Sequence, residues 1–429
     1  MATLFWFDTY RSKNWLRRLL RPSWLVLKQL PHTTKLAAAR IGASISPFPS
    51  MVVDKGRLYP PRVICDSTPA WVSEHGGKFA ATISHVDPAC TASMALPKTV
   101  HRHIRRQFLE DQAYHYPETF AARLPGGRVT RRGFVITPDG QFLRDVSTYF
   151  HDPKITMETA LSTQWRLQPL TEIDGRVAVL ATDGASLYYH WLFQLLPRIE
   201  LMRLAGIQLA EIDAFYVNNF DSRFQRDTLA SLGIQPSRII EGSKVPYLKA
   251  RELIVPSVPL GTACFRPWMV DFLRNAFLPG NWRDTNTPGR RLYISRGLAG
   301  YRRVLNEDKV IALLKKRRFE VLALETMSIS EQATVMASCE AVVAPHGGGM
   351  SNIIFCSPGT KIVEIYSPEL VATYYWKLSN ALNLDYYYVL GQGDPATLDA
   401  DYSQSWDSHT DIVVDLDSLE RTLVHAGIE

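Results

Sequence analysis

Cysteine is scarce in this chain. Its 429 residues hold five, at Cys65, Cys90, Cys264, Cys339 and Cys356, widely spaced and with no Cys-x-x-Cys pair. That pattern argues against a disulfide framework and a zinc knuckle, and leaves reduced, mostly buried thiols. None of the ten asparagines is followed two positions later by Ser or Thr, so an N-glycosylation acceptor is missing. Long apolar runs are missing too: none reaches the roughly 18 to 20 residues that span a bilayer. Charges interrupt every candidate core of a secretory signal, and no small-residue cleavage site follows one. No internal repeat or long low-complexity segment is visible. What remains is ordinary globular composition, 46% apolar and 21% charged, in a chain too long for one core of usual size. Two domains are expected.

The net charge of +6 is unevenly spread. Residues 1–62 carry eleven Lys or Arg against Asp8 and Asp54 alone, a surplus of +9, and leave −3 for everything after them. A uniformly basic protein points to nucleic acid, whereas one basic end on a neutral body points to a local electrostatic contact. In residues 4–30 Phe5, Trp6, Trp15 and Leu19 are interleaved with Arg11, Arg17, Arg18 and Lys28. Such a segment suits a helix resting on anionic lipid, and equally a helix packed on the protein body with its charges in water. Pro22 breaks or kinks it in either case.

Residues 1–45 form this basic amphipathic segment, and the proline-rich stretch 46–62 leads into an α/β domain reaching to 280. There short β-like runs (Gly133 to Ile136, Arg176 to Leu180, Ala214 to Val217, Glu252 to Val255) mix with helical stretches. The Pro, Gly and Asn-rich residues 279–290 make the best interdomain boundary. From 281 to 429 helix and strand alternate strictly. Strands are expected at Arg291 to Ser295, Phe319 to Leu324, Glu340 to Pro345, Lys361 to Tyr366 and Tyr386 to Leu390, with helices at Asn306 to Lys316, after the Ser328/Glu331 capping box, and from Met350. This is the pattern of a doubly wound parallel sheet.

In such sheets ligands bind beyond the carboxyl ends of the strands. The loop Pro345-His346-Gly347-Gly348-Gly349-Met350-Ser351-Asn352 lies at one of those ends. Three glycines let backbone approach a ligand, and the amides opening the next helix favour phosphate. Three glycines alone fit a tight turn equally well. A dinucleotide fingerprint needs Gly or Ala at Asn352, a Walker loop needs Gly-Lys-Ser/Thr, and a hydrolase elbow needs Gly at Ile353; none is present. Two more clusters fall at equivalent ends. Arg296, with Arg302, Arg303, Asn306 and Glu307 behind it, can neutralise a diphosphate. Glu364, inside an apolar strand, needs a partner, either a ribose diol or a structural cation. In the first domain, the run Tyr188 to Arg198 read as a helix sets His190 and Gln194 one turn apart on one face. His190 can take a proton from an acceptor hydroxyl, and a satisfied core histidine is the competing reading.

The run YYHWLFQLLPR, the segment LYISR with the following RRVLNE, SISEQ, and APHGGGMSNIIF leading to PGTKIVEIY together resemble glycosyltransferase family 61, particularly bacterial members linked to capsular and exopolysaccharide synthesis. The resemblance covers residues 175–390. It implies two Rossmann-like domains facing a cleft, the GT-B arrangement, and inverting transfer from a nucleotide sugar, UDP-linked by preference, with no metal or other cofactor. A glycan or lipid-linked acceptor is expected; the reduced thiols and missing glycosylation acceptors suit a cytoplasmic setting, residues 4–30 would make any contact with the inner face of the membrane, and the uneven charge argues against a nucleic-acid partner. By position, His346, Gly347, Gly348, Gly349, Ser351 and Asn352 would hold the nucleotide, Arg296 with Arg303 and Asn306 would serve the diphosphate end, and Glu364 would reach sugar or ribose. His190 would be the base. Gln194 stands where similar proteins often look acidic, which leaves Asp183 as another source of the base. A non-catalytic nucleotide-sugar-binding member of the same fold is the alternative that Gln194 favours. An Asp-x-Asp metal site at Asp415 and Asp417 is disfavoured because too little chain follows it for an acceptor half, and these residues are expected to start the last helix.

Overall fold

The computed structural model describes residues 61, 63–148, 170–257, 265–278, 280, 289–393 and 410–429. The basic segment 1–45, almost all of the linker, Cys264, most of the proposed boundary and Asp399 to Asp401 lie outside the described residues. The fold is a mixed α/β one. Among the described residues no helix is long and apolar enough to cross a membrane.

The first half is built on a ten-stranded mixed sheet. Its strands are β1 (Val63–Cys65), β2 (Thr82–Asp87), β5 (Thr119–Pro125), β6 (Arg128–Thr130), β7 (Val135–Ile136), β8 (Gln141–Leu143), β9 (Thr171–Val179), β10 (Ala214–Val217), β11 (Ile239–Glu241) and β12 (Tyr247–Pro256), while β3 (Cys90–Ser93) and β4 (Ala113–Tyr116) form a separate hairpin. β12, β9, β10 and β11 run parallel to their neighbours. β5 and β6 add to β12 antiparallel. The four β-like runs read from the sequence each overlap a strand, although only Val135 and Ile136 of the first are in β7, Leu180 lies past the end of β9, and β9 and β12 start well before the residues expected.

The second half is a five-stranded parallel sheet in the order β14-β13-β15-β16-β17, formed by β13 (Arg290–Ile294), β14 (Phe319–Leu322), β15 (Cys339–Pro345), β16 (Lys361–Tyr366) and β17 (Asp385–Leu390). The helices Glu307–Lys315 and Leu416–His425 pack on one face in a core with Val343 and Val363. Helices Ile329–Ala337 and Tyr374–Ala381 pack on the other, in a core that continues into the first half. The expected capping box forms: Ser328 N donates to Glu331 Oε2 at 2.7 Å and Glu331 N to Ser328 Oγ at 3.4 Å. Asp415 stands at the N-cap position of the last helix, where that helix was expected to start. The second strand ends at Leu322, two residues early, where a 3-10 turn Leu324–Thr326 takes over.

Two features tie the halves together, and neither has a local sequence signal. Lys98 adds itself to the outer edge of β17, its N–H on Tyr386 O and its C=O receiving Tyr388 N, both at 3.0 Å. An open strand edge is thereby covered. Arg274, buried on helix Pro267–Phe277, donates to the carbonyls of Ile354 at 2.7 Å and of Cys356, closing the C-terminal end of the 3-10 helix that follows the glycine loop. Among the described cysteines, Cys339 and Cys356 are buried, Cys65 is half-buried and Cys90 exposed, and all four are free.

Candidate active site

The order β14-β13-β15 reverses the direction of winding between β13 and β15. A crevice opens at such a switch point beyond the strand ends. Arg296 follows β13 there, and His346-Gly347 follows β15. The loop continues into a 3-10 helix, Gly348–Phe355, tighter than the α-helix expected from Met350. The first amides of any helix lack partners within it and carry a partial positive charge.

Arg296 lies directly on the loop: a Cβ added to Gly347 would stand 1.9 Å from its Nη1. Its other nitrogens hold the carbonyls of Arg302 (Nε, 3.1 Å) and Tyr301 (Nη2, 2.9 Å). Arg302 sits beside it with φ of 53°, a left-handed conformation that a non-glycine residue holds only under constraint. Both guanidiniums lie over the Tyr301 ring, Cζ to centroid 5.5 and 5.0 Å. Burial lowers the Arg296 pKa and the Arg302 charge adds to that. Among the described residues no carboxylate is paired with either one. Two like charges held together this way favour an anion between them.

His346 is 6% exposed. Its Nδ1 donates to Glu364 Oε1 at 2.5 Å, and Tyr386 OH donates to Glu364 Oε2 at 2.5 Å. Tyr366 stacks on the imidazole at 5.3 Å. Burial holds His346 below the ordinary imidazole pKa; Glu364 opposes this, and Arg302 and Arg296 add to it. Tyr375 clamps the loop from the other side, its OH donating to Gly347 O at 2.8 Å.

The other proton-accepting candidate comes from the first half. Tyr188 to Leu204 is one helical run containing a π turn at Trp191–Leu195, where Leu196 N reaches back to Trp191 O at 3.0 Å. Pro197 explains the widening, because it has no N–H to give the i−4 carbonyl and its ring crowds the preceding turn. His190 and Gln194 do share a face: Nδ1 of His190 is 3.0 Å from Gln194 Oε1. An amide oxygen only accepts, so Nδ1 carries a proton in this contact. Gly184, with φ of 89°, packs against the ring, and its Cβ would meet His190 Cδ2 at 3.0 Å. Asp183 precedes it in the same turn, buried, with its amide on Thr148 Oγ1 at 3.2 Å. Arg198, fully buried, fixes that turn through Val179 O and Ala181 O at 3.1 and 2.9 Å, and burial pushes its guanidinium down to about 9.

The two histidines share an aromatic wall. Tyr189 meets His190 at 5.4 Å and Tyr374 and Tyr375 at 5.5 and 5.8 Å; His346 meets the same two tyrosines at 6.3 and 5.4 Å.

Five residues expected to hold ligand are engaged inside the protein. Asn352 is fully buried; its amide donates to Gln332 Oε1 at 2.7 Å and its Oδ1 accepts from Tyr188 OH at 2.8 Å, so it joins the halves. Ser351, also fully buried, has Tyr375 OH 3.4 Å from its Oγ. Arg303 points into an ion pair with Asp411 at 2.7 Å, and Asn306 pairs in both directions with the Val414 backbone, at 2.8 and 2.9 Å. These two anchor the chain at 411–414 against the sheet. Glu364 has both oxygens taken inside the protein, so the structural partner holds in place of the ribose diol. The sequence undervalued Arg302 and did not reveal Tyr375, whose partner is a main-chain oxygen with no pattern in the sequence.

Residues 188–363 match the family described as Glycosyltransferase 61. The match runs from the His190 helix through the glycine loop into β16, and over that span the chain is similar to a family whose work is glycosyl transfer between a donor and an acceptor. No curated protein matches the chain.

Proposed function

We propose that this chain is a glycosyltransferase that moves a sugar, with inversion, from a nucleotide sugar bound at the β13/β15 switch point to an acceptor lying against the His190 side. The observation that carries this is the pair Arg296 and Arg302, two guanidiniums without a carboxylate partner among the described residues, the first held against Gly347 where the helix amides begin and the second beside it over the Tyr301 ring. A leaving nucleoside diphosphate gains negative charge in the transition state, and donors fixed in advance around it stabilise that charge without reorganising. His190, its ring oriented by Gln194 and Gly184, removes the acceptor proton as the new bond forms on the face opposite the departing diphosphate. Asp183 is the second candidate for that proton.

The donor is UDP-linked and the transfer independent of metal, the guanidiniums taking the place of a divalent ion. In this reading the two halves, 46–280 and 281–429, act as the acceptor and donor sides of a GT-B arrangement, with residues 4–30 touching a lipid surface where a glycan or lipid-linked acceptor of cell-surface polysaccharide synthesis is met. Thermal shifts with UDP, GDP and CDP sugars against NAD test the ligand class; stabilisation by NAD alone contradicts it. Transfer that survives EDTA supports metal independence, and activity restored only by added manganese refutes it.

Gln194 favours a second reading, a nucleotide-sugar binder without transfer. Unchanged transfer or donor hydrolysis in His190→Ala would leave that histidine without a role, whereas no transfer to any acceptor despite tight donor binding would support the binder.

A further inference from the structure

His346 faces a contradiction that the free protein does not resolve. With Nδ1 donating to Glu364, a neutral imidazole turns the lone pair of Nε2 outward, and no described group bonds that atom. A lone pair repels a phosphate oxygen. To meet an anion the ring must donate from both nitrogens, which means an imidazolium.

A buried cation is costly unless a charge compensates it. Glu364 is placed to do so: it is fully buried beneath the ring, and its second oxygen is held by Tyr386. The groups facing His346 are few. Tyr366 from β16 and Tyr375 from the helix after it are pushed up by burial, and Tyr386 from β17 likewise, so these phenols stay protonated donors. Tyr374 adds a ring 6.3 Å away. Arg296 and Arg302 supply positive charge from the β13 loop, and in the free protein their field works against a proton on His346. A diphosphate seated between those guanidiniums reverses the sign of that field.

The geometry points to Glu364 as the residue that lets His346 become an imidazolium when a nucleoside diphosphate enters the loop, so that donor binding takes up one proton from solvent at Nε2. Glu364 is thereby a positioning and charge-balancing residue for His346. The inference rests on the nucleotide-diphosphate reading of the loop. The bound proton bridges to a phosphate oxygen and remains with the ring, so no covalent step is involved.

Calorimetric titration of the full chain with UDP, or with GDP or CDP if only one of these binds, is run at pH 7.5 in two buffers of different ionisation enthalpy. The expected result is an uptake of roughly half to one proton per bound nucleotide. In Glu364→Gln, which keeps an acceptor for Nδ1 but removes the charge, uptake is expected to vanish and Kd to rise about tenfold or more. Affinity of the unsubstituted protein falls as pH rises, because the bound state holds the extra proton. Equal heats in the two buffers for the unsubstituted protein overturn the inference while leaving the nucleotide site intact, and so does uptake that survives in Glu364→Gln or in His346→Gln. Absence of binding by all three nucleotides overturns the nucleotide reading, and the inference falls with it.

Discussion

His190 and His346 stand against the same tyrosine wall, yet each Nδ1 is answered by a different group, a neutral amide for the first and a buried carboxylate for the second. The difference assigns them different work. An amide oxygen orients the ring and adds no charge, which in the proposed mechanism suits an imidazole that accepts a proton and returns it. A carboxylate stabilises the protonated ring, which suits a residue that must face an anion. Gln194, at first sight a defect in the site, gives His190 a neutral partner where His346 has a carboxylate.

The largest effect is expected where the comparison is broken outright. His190→Ala should lower transfer by about 10² to 10⁴-fold while UDP binding, followed by calorimetry, stays intact; equal loss of binding would place His190 on the donor side instead. Gly347→Ala tests the other histidine's neighbour. The backbone there is extended, with φ of 169°, so alanine is tolerated locally, but the new methyl displaces the Arg296 guanidinium. Turnover should drop about 10²-fold with the melting transition little changed, and a fully active Gly347→Ala protein would remove Arg296 from the site.

Gln194→Glu makes the two surroundings alike. A carboxylate on Nδ1 favours the protonated imidazole, so the acidic limb of the rate profile, which reports loss of the base by protonation, should move to higher pH by about one unit. A limb that stays in place would show that His190 is not the group titrating. Asn352→Ala cuts the link from Tyr188 to Gln332 and leaves buried groups unsatisfied; denaturant unfolding should register about 1 to 3 kcal/mol of lost stability. At the small end are the adjacent arginines. Arg302→Ala should weaken UDP about tenfold, whereas Arg303→Ala, removing an exposed pair with Asp411, should leave the UDP Kd within about twofold; the opposite ranking would return the diphosphate to Arg303.

Legibility followed the range of the interactions. The second half could be read almost strand by strand because its signals are local: short apolar runs of fully buried parallel strands, a capping box at Ser328, glycines where a strand turns to a helix. The first half was read only in pieces. β12 pairs with β5, β6 and β9 at once, and no one stretch of sequence records three partners. The Pro345 to Asn352 loop was placed correctly at a strand end, while the partners of its polar side chains were not foreseen. Ser351 and Asn352 lie on the inward face of a 3-10 helix, and what covers that face comes from Tyr188, Gln332 and Tyr375, far away in the chain.

By itself the sequence determined an α/β protein with a parallel second half, a glycine loop at a strand end, and the family that the region around that loop resembles, since periodicity, caps and motif spacing are properties of neighbouring residues. Tertiary structure decided which of two consecutive arginines faces the loop, that Glu364 answers His346 and not a ligand, and that the first half straps the edge of β17. Burial and pairing of charge depend on what lies opposite, and that is settled only when distant segments meet.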